Sequence, residues 1–544
     1  MKTRPVALAL AAALAGASLL LVAGPAGLTG SADASPRAAT PTRCAAYDAA
    51  PSAVPSTTPS SGTSTASGFG HSTRELQDRL ARTPPGGTLT VQPGIYRGAL
   101  VIDRAVTIAG VGHPVIRGDG TGTVLTIRAP GTTVRGLVIE GSGPGPVGEP
   151  SGVKVEADNV VVQNLRIRDT YTGIRVDGVR DAKIIGNVIE GRKALARKDT
   201  QAGGSATQAG IDTKAAADMA DMSGMDMSPG KSHAQGGRGD AVILFNAIRP
   251  VVAGNSVADA RDGVYLSFGR GSRIECNSIV GSRYALHSMY GGSVTVAGNT
   301  FAANLSGPVM MYGGPVTLED NVIRDQHSAS TGYGVLLLDV GGARLLRNII
   351  VSNRVGIQIE GEQESAVELN TIGLNQVGVA LYPTARSVLS QNSMVENTIQ
   401  ALGMGPDGGG GDSAWSRDGV GNFWSNYRGY DRSGDGVGDI SHVEGAAAGR
   451  LLAGDPVLLA LASSPAFNLL RAVEQRSAAQ RPVALDPSPL VDPRSPSLPP
   501  AVPSTARQSS FGTGLVGAVT LAVCSLALLR CTGGRRPTPE TTRK

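Results

Sequence analysis

The chain has 544 residues, a formal net charge of +5, 41% hydrophobic residues, 4% aromatics and 74 glycines. A basic C-terminal tail supplies much of the positive charge, so the balance gives no reason to expect nucleic acid as a partner. Four cysteines are too few for a disulfide-built scaffold, and scarce aromatics with abundant glycine suit short strands joined by tight turns.

At the N-terminus Lys2 and Arg4 precede an apolar run from Val6 to Val22, and Ala32-Asp33-Ala34 offers a small-x-small cleavage site. Residues 1–34 therefore read as a signal peptide, with an N-terminal membrane anchor as the alternative. Residues 35–71 are rich in Ser, Thr, Ala and Pro and form a linker that cannot bury a core. Ser72 with Glu75 makes a capping box ahead of ELQDRLAR, whose Leu76 and Leu80 share a helical face. This helix is expected to cover the open edge of a first coil that begins at GGTLTVQPGIYRG.

The region from 72 to 445 is periodic. Asparagines stand at Asn255, Asn277, Asn299, Asn321, Asn348, Asn370 and Asn392, spaced 22, 22, 22, 27, 22 and 22 residues, and upstream Asn164 and Asn187 lie 23 apart. Each opens a unit of short alternating apolar runs, as in NSIVGSRYALHSMYGGSVTVAG. A period near 22 with two or three strands per repeat predicts an all-β fold, a right-handed parallel β-helix with one repeat per coil. The asparagines then stack about 4.8 Å apart and bond coil to coil, a structural role.

Counting from each Asn aligns the coils. Offset 11 gives Leu266, Met310 and Ile359, and Leu286 stands at offset 9 with the same parity, an aliphatic set expected to face inward. Offsets 10 and 12 then face outward, placing His287 and Met289 on one exposed face with Met311 one coil away. Two thioethers and an imidazole are a soft set suited to Cu(I); the alternative is that they fill a groove beneath a loop or partner.

Between Asn187 and Asn255 lie 68 residues, and the strand pattern disappears over 193–237. This insertion holds Met219, Met222, Met225 and Met227, followed by His233, set among Asp, Ser, Gly and Pro with no amphipathic face to bury them. Clustered methionines without a core read as weak, exchangeable Cu(I) ligands, or else as an inert loop.

After the last coil, Asp431, Ser433, Asp435 and Asp439 fall at positions one, three, five and nine of a calcium-like loop, with Gly436 at six. His442 occupies position twelve, where a bidentate Glu belongs, so an Asp/Gly-rich turn without metal is the competing reading. Residues 446–481 read as a helical cap on the last coil and 482–510 as a Pro-rich spacer. Phe511 to Leu529 carries no charge and spans about 28 Å as a helix, enough to cross a bilayer. The basic tail of 530–544 keeps the cytoplasmic side and leaves the bulk of the chain outside. Cys44 and Cys276 are the two cysteines outside this segment that could pair, although Cys276 also reads as a buried thiol.

The runs GDAVILFNAIRPVVAGNSVADARDGVYLSFG, SRYALHSMYGG, GYGVLLLDVGG, GNFWSNYRGYDRSGDGVGDI and ALDPSPLVDP resemble the NosD family of nitrous oxide reductase maturation proteins over roughly residues 72 to 493. The resemblance implies a non-enzymatic β-helix outside the cytoplasmic membrane. It also implies association with an ABC-type permease and ATPase, copper supplied by a small chaperone, and help in assembling the copper–sulfide centre of nitrous oxide reductase. His287 and Met289 lie in the matching stretch. The Met-rich insertion and the C-terminal membrane helix depart from the family pattern. A polysaccharide-acting enzyme of this fold needs paired carboxylates across a cleft. The outward offsets supply only Glu360, while Asp259 and Asp262 fall on a turn. A surface adhesin is the third class compatible with the repeat.

Overall fold

The computed structural model describes residues 44–47, 71–145, 148–192, 238–327, 332–361, 364–404, 410–445, 464–474 and 482–494. These all fall within one compact unit, residues 41–544. The expected signal peptide over 1–34, the expected membrane segment over 511–529 and the Met-rich insertion over 193–237 lie outside the described residues. Among the described residues no helix is long and apolar enough to cross a membrane.

Short strands wind into three parallel sheets of 14, 12 and 12 strands, each strand pairing with its counterpart one coil earlier and one coil later. This is the parallel β-helix that the 22-residue period predicts. Val, Ile and Leu dominate the inward positions because branched side chains pack well on a pleated surface buried on that side. They form one continuous interior from Leu76 to Ala484. The site lies in the sheet that contains the strands Asp262–Ser267, Tyr284–Met289 and Ser306–Met311.

The asparagine column is a hydrogen-bonded ladder. Asn277 donates from its amide nitrogen to Asn299 Oδ1 at 2.9 Å and to the Val252 carbonyl at 2.9 Å, and its backbone N–H also reaches Asn299 Oδ1 at 2.9 Å. The same set repeats from Asn187 to Asn422, where the ladder ends on the carboxylate of Asp486. Asn164 does not belong to it. That residue is an exposed left-handed corner (φ 53°), and the ladder position one residue later is Leu165, whose backbone N–H donates to Asn187 Oδ1. A second ladder through Asn304, Gln326, Asn353, Asn375 and Asn397 runs five residues behind the first.

The N-terminal helix Thr73–Arg82 closes the first coil with Leu76 and Leu80 in the interior. Its cap is simpler than a reciprocal box. Ser72 accepts from the Arg74 N–H at 3.2 Å, while Glu75 lies 3.5 Å from His71. At the other end, Trp415, Trp424, Val483 and Ala484 complete the interior, and His442–Glu444 pairs antiparallel with Ala484–Asp486. The helix Pro465–Glu474 lies elsewhere, with Phe467 against Val355, Val377, Ala380, Ile399 and Leu402 on the outer flank of three coils. Among the described residues the end coil is thus covered by two tryptophans and an antiparallel strand pair, while that helix packs on the flank. Cys44 and Cys276 form a disulfide, with Cα atoms 5.5 Å apart.

Candidate functional site

Register pairs His287 with Tyr265 and Val309, and Met289 with Ser267 and Met311. His287, Met289 and Met311 share the outer face of the sheet, as strand alternation requires. Leu286 and Met310 belong to the interior, whereas Met311 joins a separate cluster with Tyr284, Val309 and Leu336. In this coil the position level with Leu266 and Met310 is Ser288, and Leu286 pairs with Val264 and Pro308. The face is also not open to solvent. His287, Met289 and Met311 are 6%, 7% and 2% exposed, because large side chains pack beside each of them. The rings of Tyr265 and Tyr284 both sit 5.1 Å from the His287 imidazole, and Tyr333 and Leu338 extend the apolar band past Met311.

Asp262 begins the preceding strand and supplies the charge at this site. Gly263 beside it lets the coils approach, since a Cβ there would lie 2.5 Å from the Ala285 carbonyl oxygen. The Asp262 carboxylate accepts from Arg283 Nε at 2.9 Å and Nη2 at 2.8 Å, and its Oδ2 lies 3.1 Å from His287 Nδ1. Burial disfavours the charge on Asp262, but Arg283 and the His287 hydrogen bond outweigh it and hold the carboxyl well below its usual range. One coil earlier, Arg261 makes the same fork to Asp240, at 2.8 and 2.5 Å. The far ring nitrogen, His287 Nε2, is buried without a hydrogen-bond partner among the described residues. Met289 Sδ accepts weakly from the Tyr265 hydroxyl at 3.9 Å.

At the next corner Phe268, Tyr290 and Tyr312 form an exposed stack with centroids 5.3 and 5.4 Å apart. Further along the outer face, Glu360 bonds Gln358 and Tyr382. Burial, with the Asp339 charge adding, pushes the Glu360 carboxyl up, and burial beside Glu360 pushes the Tyr382 hydroxyl up to about 12.

Met219, Met222, Met225, Met227 and His233 lie outside the described residues. In the acidic loop, Asp431 accepts from the Ser433 hydroxyl and the Gly434 and Gly436 N–H groups, Asp435 from Val437, and Asp439 from Arg432. Those carboxylates cap their own turn, and no group of three His, Cys, Asp or Glu side chains able to hold a metal occurs among the described residues. The loop is a hydrogen-bonded Asp/Gly turn. Asp240, Arg261, Asp262 and Arg283 were not legible as site residues. Their signal is a recurrence of Asp followed 21 residues later by Arg, which the count from asparagine passes over.

The profile of the family described as "Periplasmic copper-binding protein (NosD)" matches residues 223–429. The "Probable ABC transporter binding protein NosD" of Stutzerimonas stutzeri is 32% identical over 400 residues, covering 70% of this chain and 81% of that protein. The chain belongs to the NosD family. The Pseudomonas aeruginosa protein of the same description is 30% identical over 413 residues, covering 72% of this chain and 85% of its own length. Both NosD relatives are named as binding proteins rather than enzymes. Among solved structures, the A-module of Azotobacter vinelandii mannuronan C-5 epimerase AlgE6 aligns with a TM-score of 0.45 at 14% identity, covering 63% of this chain and 93% of that one.

Proposed function

We propose that the protein is an extracytoplasmic copper-handling accessory factor for maturation of nitrous oxide reductase. It works with an ABC-type permease and ATPase, takes Cu(I) from a copper chaperone, and is anchored to the membrane by residues 511–529. Kinship with NosD relatives named as ABC transporter binding proteins, extending over 400 residues, carries this reading. A soft donor set on the outer face supports it: His287 with a buried, unpartnered Nε2, Met289 and Met311. Uncharged thioethers bind Cu(I) in preference to harder ions and release it readily, as a relay requires. Met219, Met222, Met225, Met227 and His233 form a second, more exchangeable set in the insertion. Removing the protein from its host leaves nitrous oxide reductase exported but short of copper. A fully metallated reductase in that strain overturns the proposal.

A further inference from the structure

We infer that Asp262 is the positioning residue of this face, fixing through one hydrogen bond which nitrogen of His287 is presented to a soft monovalent metal ion. This rests on the reading of copper as cargo. Asp262 is fully buried on the coil before His287, and Arg283 grips both of its oxygens. Arg283 in turn lies over the Tyr284 ring, 4.5 Å from its centroid, and that ring packs edge-on to the imidazole. The carboxylate therefore has little freedom to turn away, and its Oδ2 stays 3.1 Å from His287 Nδ1.

An ionised carboxylate only accepts hydrogen bonds. The shared proton therefore sits on Nδ1, and in the neutral ring Nε2 carries the lone pair. A carboxylate behind one nitrogen of a histidine whose other nitrogen binds metal is a recurrent device for orienting the ring and raising its basicity. Here the far nitrogen is buried and lacks a partner among the described residues, whereas His442, also deeply buried, has its Nε2 2.9 Å from Glu444. Coordination transfers the Nε2 lone pair to Cu(I) and breaks no N–H bond, because the proton remains between Nδ1 and Asp262.

The test uses the metal-free full-length chain with 15N-labelled histidine, His287 being assigned by its loss in His287→Gln. Long-range proton–nitrogen spectra are expected to show the Nδ1–H tautomer. In Asp262→Asn the single carbonyl oxygen is held by Arg283 and the amide NH2 faces the ring. His287 then switches to Nε2–H, and Cu(I) affinity in competition with bicinchoninate falls at least tenfold. Asp262→Glu restores both readouts. An Nε2–H tautomer in the wild type, or an unchanged tautomer in Asp262→Asn, overturns the inference, and the wild-type spectrum alone decides if the Asn variant does not fold. If the wild type shows Nδ1–H but added Cu(I) leaves the Nε2 resonance unmoved, the copper reading is what fails.

Discussion

Replacing Met289 and Met311 together by Leu removes both thioethers from the outer face while keeping volume and apolar character. Both side chains are buried, so the exchange has a stability cost, but its size is bounded. Met311 packs with Tyr284, Val309 and Leu336 outside the interior, and Leu fills the same space. Met289 loses only a weak 3.9 Å contact from the Tyr265 hydroxyl. Volume-conserving apolar exchanges cost less than about 1.5 kcal/mol each, and about 2 kcal/mol for the pair is the central expectation. That shifts the thermal midpoint by less than about 8 °C. Loss of two of three soft donors should weaken Cu(I) binding at this face at least hundredfold, about 2.8 kcal/mol. The assay is anaerobic competition against a chromophoric Cu(I) chelator, run in the full chain and in a background lacking residues 193–237. Wild-type affinity in the double variant refutes sulfur ligation on this face. A much larger fall in midpoint means the two methionines carry the packing of an interior position.

Deleting residues 193–237 should leave the solenoid folded and lower Cu(I) stoichiometry. Ile174 already pairs with Val242 and Glu190 with Ala258 across the insertion, and the 45-residue deletion brings the 68-residue Asn187–Asn255 separation down to 23, against 22 for the next step, Asn255 to Asn277. Loss of strand circular dichroism would show that the segment is part of a coil. Glu360→Gln tests the half-buried carboxyl on the outer face. Its folded pKa is raised, so the neutral form stabilises the wild type below the ordinary carboxylate range, and that contribution is lost as pH rises through the folded value. The wild-type midpoint should therefore fall relative to the Gln variant across that interval, and parallel pH profiles refute the assignment.

The period-2 alternation within a 22-residue period made the coils and the outward parity of His287, Met289 and Met311 legible, because each depends only on counting. Burial was not legible in the same way. Whether an outward side chain meets solvent depends on the size of its neighbours one coil away, and Tyr265 and Leu336 lie 22 and 25 residues from His287 and Met311 in the sequence. Asn164 shows how the count slips: one residue separates a ladder position from a left-handed corner, and asparagine suits both. The second amide ladder escaped because Gln326 interrupts its run of asparagines, although the geometry accepts either amide. The acidic loop matched calcium spacing because turns that bind their own N–H groups and turns that bind calcium draw on the same Asp and Gly residues.

The corner that precedes the site strand explains why, among the described coils, a carboxylate is placed behind a histidine of the outer face here. From Asn304 to Asn397 that corner is closed by amides, each side-chain oxygen accepting a backbone N–H from the coil before and each side-chain nitrogen donating to a backbone carbonyl. One coil before Asn304 the same position is Ser282, and two coils before it is Ala260, neither of which can carry the ladder on. At those coils Arg261 and Arg283 instead tie each coil to the carboxylate of the one before, Asp240 and Asp262. The two kinds of closure differ in what they leave over. An amide ladder is saturated by its own repetition, whereas a carboxylate gripped by one guanidinium still has lone pairs for another donor. His287 takes one of them, on the second of the two ionic corners and immediately before the amides begin. Met289 and Met311 then follow on the same outer face without disturbing the interior, where Leu286 and Met310 remain packed. The solenoid can thus change its corner chemistry coil by coil while the inward columns stay constant, which allows a polar, soft-ligand face to be built on it without loss of the core.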